Sequence, residues 1–216
     1  MKTYLEMVNN ILIRLREREV ASVNENSYSK LVGLFVQDAL VLVESAWNWS
    51  TLRETLTVNT QDGVFSYALT DSGDKSIVLD VINETSGSTL SYQTAQWFNS
   101  VYLTNTPAKG VPNHYSFNGL SSLGDTQIDV YPIPDGVYEI HFNMIKRTPD
   151  TLADAAIIKV PFLPIQALAY AMALEERGED GGMSAISAKG LANNYLSDAI
   201  TLDANKHPEE LIWEAP

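Results

Sequence analysis

The residues that could do chemistry are few: three histidines, several paired carboxylates and a small set of aromatics. The chain has no cysteine, which excludes thiolate nucleophiles, disulfide scaffolds, Cys-ligated zinc and iron–sulfur clusters. His114, His141 and His207 do not stand four residues apart, nor beside a carboxylate at metal-ligand spacing. His141 follows Glu139 by two residues on a strand face, a spacing that reads as a surface pair. Glu175-Glu176, Glu179-Asp180 and Glu209-Glu210 are adjacent pairs at helix ends or in the tail, where carboxylates are solvated. A glycosidase needs its two carboxylates placed across a substrate instead. Trp97, Phe98 and Tyr102 lie at helical spacing, where aromatics cover a sheet or fill a core; stacking on sugar rings or bases is the other use of such rings. Phosphate-binding glycine loops, the nucleophile elbow and the H-E-x-x-H zinc helix do not occur. Lys146-Arg147 is the only basic doublet of the β-rich stretch and does not make a nucleic-acid site. The sequence therefore predicts a non-enzyme with no cofactor and no metal site.

Charge narrows the partners. Lys and Arg number 14 against 27 Asp and Glu, a net of −13. An open duplex-binding surface needs basic patches, so this balance argues against one while leaving room for DNA to slide past. Residues 1–50 are nearly neutral at −1, whereas residues 51–150 and 151–216 each carry −6. The hydrophobic fraction, 45% of 216 residues, suits a packed protein of one large or two small domains. The longest apolar runs fall well short of the roughly 20 residues that span a bilayer. Met1 to Tyr4 leads straight into an amphipathic segment with Glu6, Arg14 and Arg16, which predicts no signal peptide and an intracellularly made, soluble protein.

The elements that must position these residues follow from periodicity. Leu5, Val8, Leu12 and Leu15 predict a helix over 3–18. A second helix over 28–46 carries two apolar stripes, Leu31, Phe35, Ala39 and Leu42 beside Val32, Val36, Leu40 and Val43, with Asp38 as its polar exception. Ser27 is its expected cap, although Lys30 stands where a capping box wants Glu. Beyond Trp47-Asn48-Trp49 the period falls to two. Leu52 to Val58 and Phe65 to Leu69 flank Gln61-Asp62-Gly63, which predicts a hairpin. Further strands are expected at Ile77–Asn83, Leu90–Thr94, His114–Phe117, Thr126–Tyr131 and Tyr138–Met144, with a short aromatic helix over 95–103. Helical spacing returns after Pro161 and Pro164, stops at Gly178 and resumes over 183–204.

This order predicts an α+β fold: a four-helix bundle made from N- and C-terminal helix pairs, with an inserted antiparallel β-rich domain. The expected segments are 1–50 and 151–206 for the two helix pairs, 51–150 for the β insertion and 207–216 for an extended tail.

One stretch also resembles a known family. Ile128-Asp129-Val130-Tyr131-Pro132-Ile133-Pro134-Asp135-Gly136 leads into the alternating strand to Met144 and then Lys146-Arg147-Thr148-Pro149. An acidic linker with Asp150 and Asp154, Val160-Pro161, an Ala-rich helix over 167–174 and Arg177-Gly178-Glu179-Asp180 follow. This layout is similar to the head-to-tail adaptor (connector or neck) proteins of tailed bacteriophages, the tail tubular protein A type included. Those proteins similarly begin with two helices, enter a β domain through a Trp-rich segment and end with two helices and a tail.

The resemblance implies a virion structural protein at the head-tail junction, made in the host cytoplasm. It implies a dodecameric ring docked on the portal protein that has no catalytic role, continues the DNA channel and forms a platform for the tail nozzle or next neck protein. Viral DNA would pass without specific binding, and no membrane is involved; the isolated chain could be a monomer. Within that reading, Leu211, Ile212 and Trp213 are the expected portal-docking tail. Val32, Val36, Leu40 and Val43 are the candidate subunit interface, with the bundle core as their alternative place. Asn105, Lys109, Leu120 and Leu123 mark the loops expected to meet the next tail component. The competing reading is a carbohydrate-binding module of the tail or host-recognition apparatus, using Trp97 and Tyr102.

Overall fold

The computed structural model describes residues 1–104, 106–178 and 182–206, with only the backbone described at Thr104. In chain order the elements are β1 (Lys2–Thr3), α1 (Tyr4–Arg14), α2 (Ser27–Ala46), β2 (Arg53–Asn59), β3 (Ser66–Ala68), β4 (Ile77–Asn83), β5 (Ser88–Thr89), β6 (Ser91–Tyr92), α3 (Ala95–Thr104), β7 (His114–Leu120), β8 (Thr126–Tyr131), β9 (Glu139–Ile145), β10 (Ile157–Ile158), α4 (Phe162–Arg177) and α5 (Met183–Ala204). The chain divides into two units. One draws on Met1–Thr51 and on the chain from Thr148 onward; the other is Leu52–Arg147.

In the first unit, hydrogen bonding sets the helix ends. The Thr3 hydroxyl accepts from the Glu6 N–H at 3.2 Å, and the Glu6 carboxylate accepts from the Thr3 N–H at 2.8 Å, a capping box. The next two orphan donors also find partners: Tyr4 N–H reaches the Ala156 carbonyl at 2.9 Å and Leu5 N–H the Asp154 carbonyl at 3.0 Å. With β1 pairing antiparallel to β10, these bonds fix the start of the chain to the 154–158 segment. The second helix is capped by Asn26 rather than the expected Ser27. The Asn26 side chain accepts from Ser29 N–H at 2.8 Å, and the Ser29 hydroxyl oxygen accepts from Asn26 N–H at 3.2 Å. Gly178 ends α4 at φ +63°, as its position predicts, with its N–H shared between the Leu174 and Glu175 carbonyls.

The four-helix bundle with an inserted antiparallel domain is not what the chain forms. The described residues hold five α-helices and three sheets, a mixed α+β arrangement. Helices α1, α2 and α4 pack on one another, and α5 packs chiefly on α4. Alanines explain this layout. Ala167, Ala169, Ala171 and Ala173 are all buried, and alternate residues of a helix point to different sides, so α4 is covered on more than one face. Helix α5 buries only Ala185, Ala192, Ala199 and Asp203, a seam one small residue wide per two turns. That seam lets α5 lie close on α4 but gives it no stake in a four-sided core. The two-stranded β1–β10 sheet belongs to this unit too, and α3 belongs to the other.

The second unit is built from two four-stranded sheets, ordered β2-β9-β4-β5 and β3-β8-β7-β6. The hairpin expected around Gln61-Asp62-Gly63 does not form, because β2 pairs with β9 while β3 pairs with β8. The apolar faces decide it. Leu56 and Val58 of β2 and Tyr67 beside Leu69 pack into one shared core from different sheets, with Val81, Ile128, Val130, Ile140, Phe142 and Met144. Two strands of one hairpin would have buried the same residues on one sheet only. The unit is also not wholly antiparallel, since β6 runs parallel to β7.

Candidate functional site

The end of α5 carries a buried charge. Asp203 is only 4% exposed. Its carboxylate accepts from the Ser50 N–H at 2.9 Å, the Ser50 hydroxyl at 2.6 Å, the Trp47 indole at 3.2 Å and the Lys206 ammonium at 3.1 Å. Burial pushes the carboxyl up, but the two Ser50 bonds and Lys206 outweigh it and hold the group down at about 2. Asp203 thereby ties α5 to the Trp47–Ser50 segment, where Trp49 is fully buried with its indole on the Val43 carbonyl at 2.8 Å.

Beside this anchor lies a groove of about 700 Å³, lined mainly by Met1, Trp49, Phe162, Leu163, Tyr195 and Leu202. Its polar members, Lys159, Asp198, Asp203 and Lys206, sit among apolar walls. Such a surface offers shape and apolar area rather than a reacting group. Lys206, from which the chain continues toward the tail, is one of the lining residues.

The candidate residues read from the sequence divide into three groups. Leu211, Ile212, Trp213 and Asn105 lie outside the described residues. Val32, Val36, Leu40 and Val43 are 0, 0, 3 and 1% exposed, so they form the core of their own unit and are not a surface for another copy. The surface of α2 is instead the face with Leu34, Val41 and Leu42, all exposed, and α5 exposes Met183, Ile186, Leu191 and Leu202. Of the other stripe, Ala39 is buried, Leu31 and Phe35 are half-buried and Leu42 is exposed. Lys109 pairs with Asp62 at 2.9 Å; Leu120, at the end of β7, and Leu123, in the β7–β8 connection, are both exposed.

The aromatics expected as an alternative binding surface use their rings on each other. Tyr102 stacks on Phe65 with centroids 4.5 Å apart, and its hydroxyl donates to the Val130 carbonyl at 2.7 Å. Burial, then nearby Asp129, pushes the Tyr102 phenol far up. Trp97 meets Phe98, His114 and Tyr131 edge to face.

The solvent side of the β2-β9-β4 sheet carries two cross-strand ladders. Thr55 donates to the Asn143 side chain at 2.6 Å, and Asn143 donates to Asp80 at 2.6 Å. One rung along, Thr57 meets His141 Nδ1 at 2.9 Å, and His141 Nε2 meets Glu84 at 2.5 Å. Glu84, Glu139 and His141 are the group among the described residues that could hold a metal ion, with ligand atoms within 4.8 Å of one another. Sequence spacing showed only the Glu139–His141 part, because Glu84 comes from a different strand.

Among the described residues no helix is long and apolar enough to cross a membrane. The chain is thus a two-unit α+β protein with an apolar groove and exposed apolar residues on α2 and α5. Residues 2–209 match the family model described as SU10 adaptor protein. The chain therefore belongs to the SU10 adaptor protein family: it is a bacteriophage adaptor, a virion structural component that meets other phage proteins. A search of curated proteins found no match.

Proposed function

We propose that the chain is a head-to-tail adaptor of the tail tubular protein A type. It forms a dodecameric ring beneath the portal protein, continues the DNA channel and presents a platform to the tail nozzle or next neck protein. The family match over residues 2–209 carries this reading. Exposed apolar side chains support it. Leu34, Val41 and Leu42 of α2 and Met183, Ile186 and Leu191 of α5 are large exposed apolar residues that suit contact with a second copy. The net charge of −13 supports a conduit role, since like charge keeps phosphates from adhering to a channel wall.

In this reading Leu211, Ile212 and Trp213 reach the portal from the end of α5, as three large apolar residues in an acidic, proline-bounded tail. The exposed Leu120 and Leu123, with Lys109 and Asn105, face the next tail component. The test is docking onto portal-bearing capsids that lack the adaptor. A chain truncated after Lys206 is expected to fold, judged by circular dichroism and thermal melting, and to lose docking. Docking that survives the truncation contradicts the role given to the tail.

A further inference from the structure

We infer that Glu84, Glu139 and His141 form a zinc-class divalent metal site on the solvent face of the β2-β9-β4 sheet, a function unrelated to the adaptor reading and testable without it. The register creates the site. Ile82 stands opposite His141 and Asn83 opposite Ile140, and the Glu84 N–H donates to the Glu139 carbonyl at 2.9 Å. Glu84 and Glu139 are therefore directly opposed on neighbouring antiparallel strands. Like charges in that position repel, so the pair calls for a cation between them. Both carboxylates turn to His141 Nε2, Glu84 at 2.5 Å and Glu139 at 4.0 Å.

The other ring nitrogen gives the second argument. His141 Nδ1 lies 2.9 Å from the Thr57 hydroxyl, directly across the β2–β9 ladder. As the structure stands, the 2.5 Å contact has Nε2–H donating to the Glu84 carboxylate. A metal bound there would take that proton's place, with the ring proton on Nδ1 instead, donating to the Thr57 hydroxyl and leaving the Nε2 lone pair for the metal. A ring held in this way by an outer hydrogen bond is how metal-ligating histidines are oriented. Tetrahedral zinc with ligand bonds of about 2.0–2.1 Å spaces its ligand atoms by roughly 3.3 Å. Glu84 must draw back and Glu139 advance by under about 1 Å each to meet that spacing. Both side chains are exposed enough to do so, at 67 and 49%, while His141 is held at 24%. One imidazole and two carboxylates favour zinc over calcium or magnesium, which take oxygen ligands. Three protein ligands leave a fourth position for water or for a group from a neighbouring protein.

Titration calorimetry of the full chain with zinc chloride tests the site. One zinc per chain is expected, with no comparable binding of calcium. His141→Ala should abolish binding, and Glu84→Gln and Glu139→Gln should each weaken it at least about 10-fold. Thr57→Val, which touches no metal, should weaken it by about 10-fold through loss of ring orientation. Cobalt loading should give the visible absorption of a tetrahedral site in the wild type and not in His141→Ala. The inference is overturned if zinc does not bind at millimolar concentration, or if binding is unchanged in His141→Ala. It is equally overturned if His141 responds only to protons, so that its ring signals titrate identically with and without zinc.

Discussion

Asp203 shows how one side chain holds an otherwise lightly anchored helix. Its carboxyl lies at about 2, against an ordinary 3.8. A carboxyl held low stabilises the fold above its unfolded value, and the contribution disappears as pH falls from about 4 toward 2. A shift of nearly two units corresponds to about 2 kcal/mol. Asp203→Ala should therefore lower unfolding stability at neutral pH by about 2 kcal/mol in urea titrations, and the difference from wild type should vanish near pH 2. Arg177 acts similarly at the opposite end of α4. Its guanidinium donates to the Tyr28 hydroxyl at 2.8 Å, the Leu15 carbonyl at 3.2 Å and Glu17 at 2.5 Å, joining the ends of α1, α2 and α4. Three different guanidinium nitrogens make these bonds, a spread that lysine's single ammonium nitrogen does not span, so Arg177→Lys should cost about 1–2 kcal/mol by the same measurement.

Among the elements, close helix approach depends on one glycine. A Cβ at Gly33 would stand 2.6 Å from both the Tyr4 hydroxyl and Val23 Cγ1. Alanine normally favours a helix over glycine, yet here it must displace packed groups, so Gly33→Ala should destabilise by about 1–3 kcal/mol in thermal or urea unfolding. Tyr4 is already confined there: burial, then Asp154, pushes its phenol up to about 12. Much of the secondary structure was legible in the sequence. The Gly178 stop, the 183–204 helix and the Ile140-Phe142-Met144 strand each follow from local chemistry that neighbours do not override. Pairing was less legible. Gln61-Asp62-Gly63 signals a turn, but a turn does not say whether its flanks share a sheet, and the common core drew them apart. The solvent face of α2 was hidden for a related reason: with apolar residues around most of its circumference, periodicity alone does not separate core from interface. Glu84 meets His141 only through strand register, which spacing along the chain does not reveal.

The whole molecule is acidic, and in the proposed reading its assembly surfaces are apolar. Copies carrying −13 each repel at low salt, so ring formation should strengthen as salt screens them. Leu34→Glu with Leu42→Glu should leave the melting temperature within a few degrees of wild type and prevent ring formation on capsids. A charge at buried Val36 should instead unfold the chain, which separates an assembly defect from a folding defect. Whether this phage adaptor sits under the portal as a ring is decided by electron microscopy of portal-bearing, adaptor-free heads mixed with the purified chain. A dodecameric ring added at the portal vertex and coaxial with its channel is expected. Heads left unchanged, or density elsewhere on the particle, would contradict it.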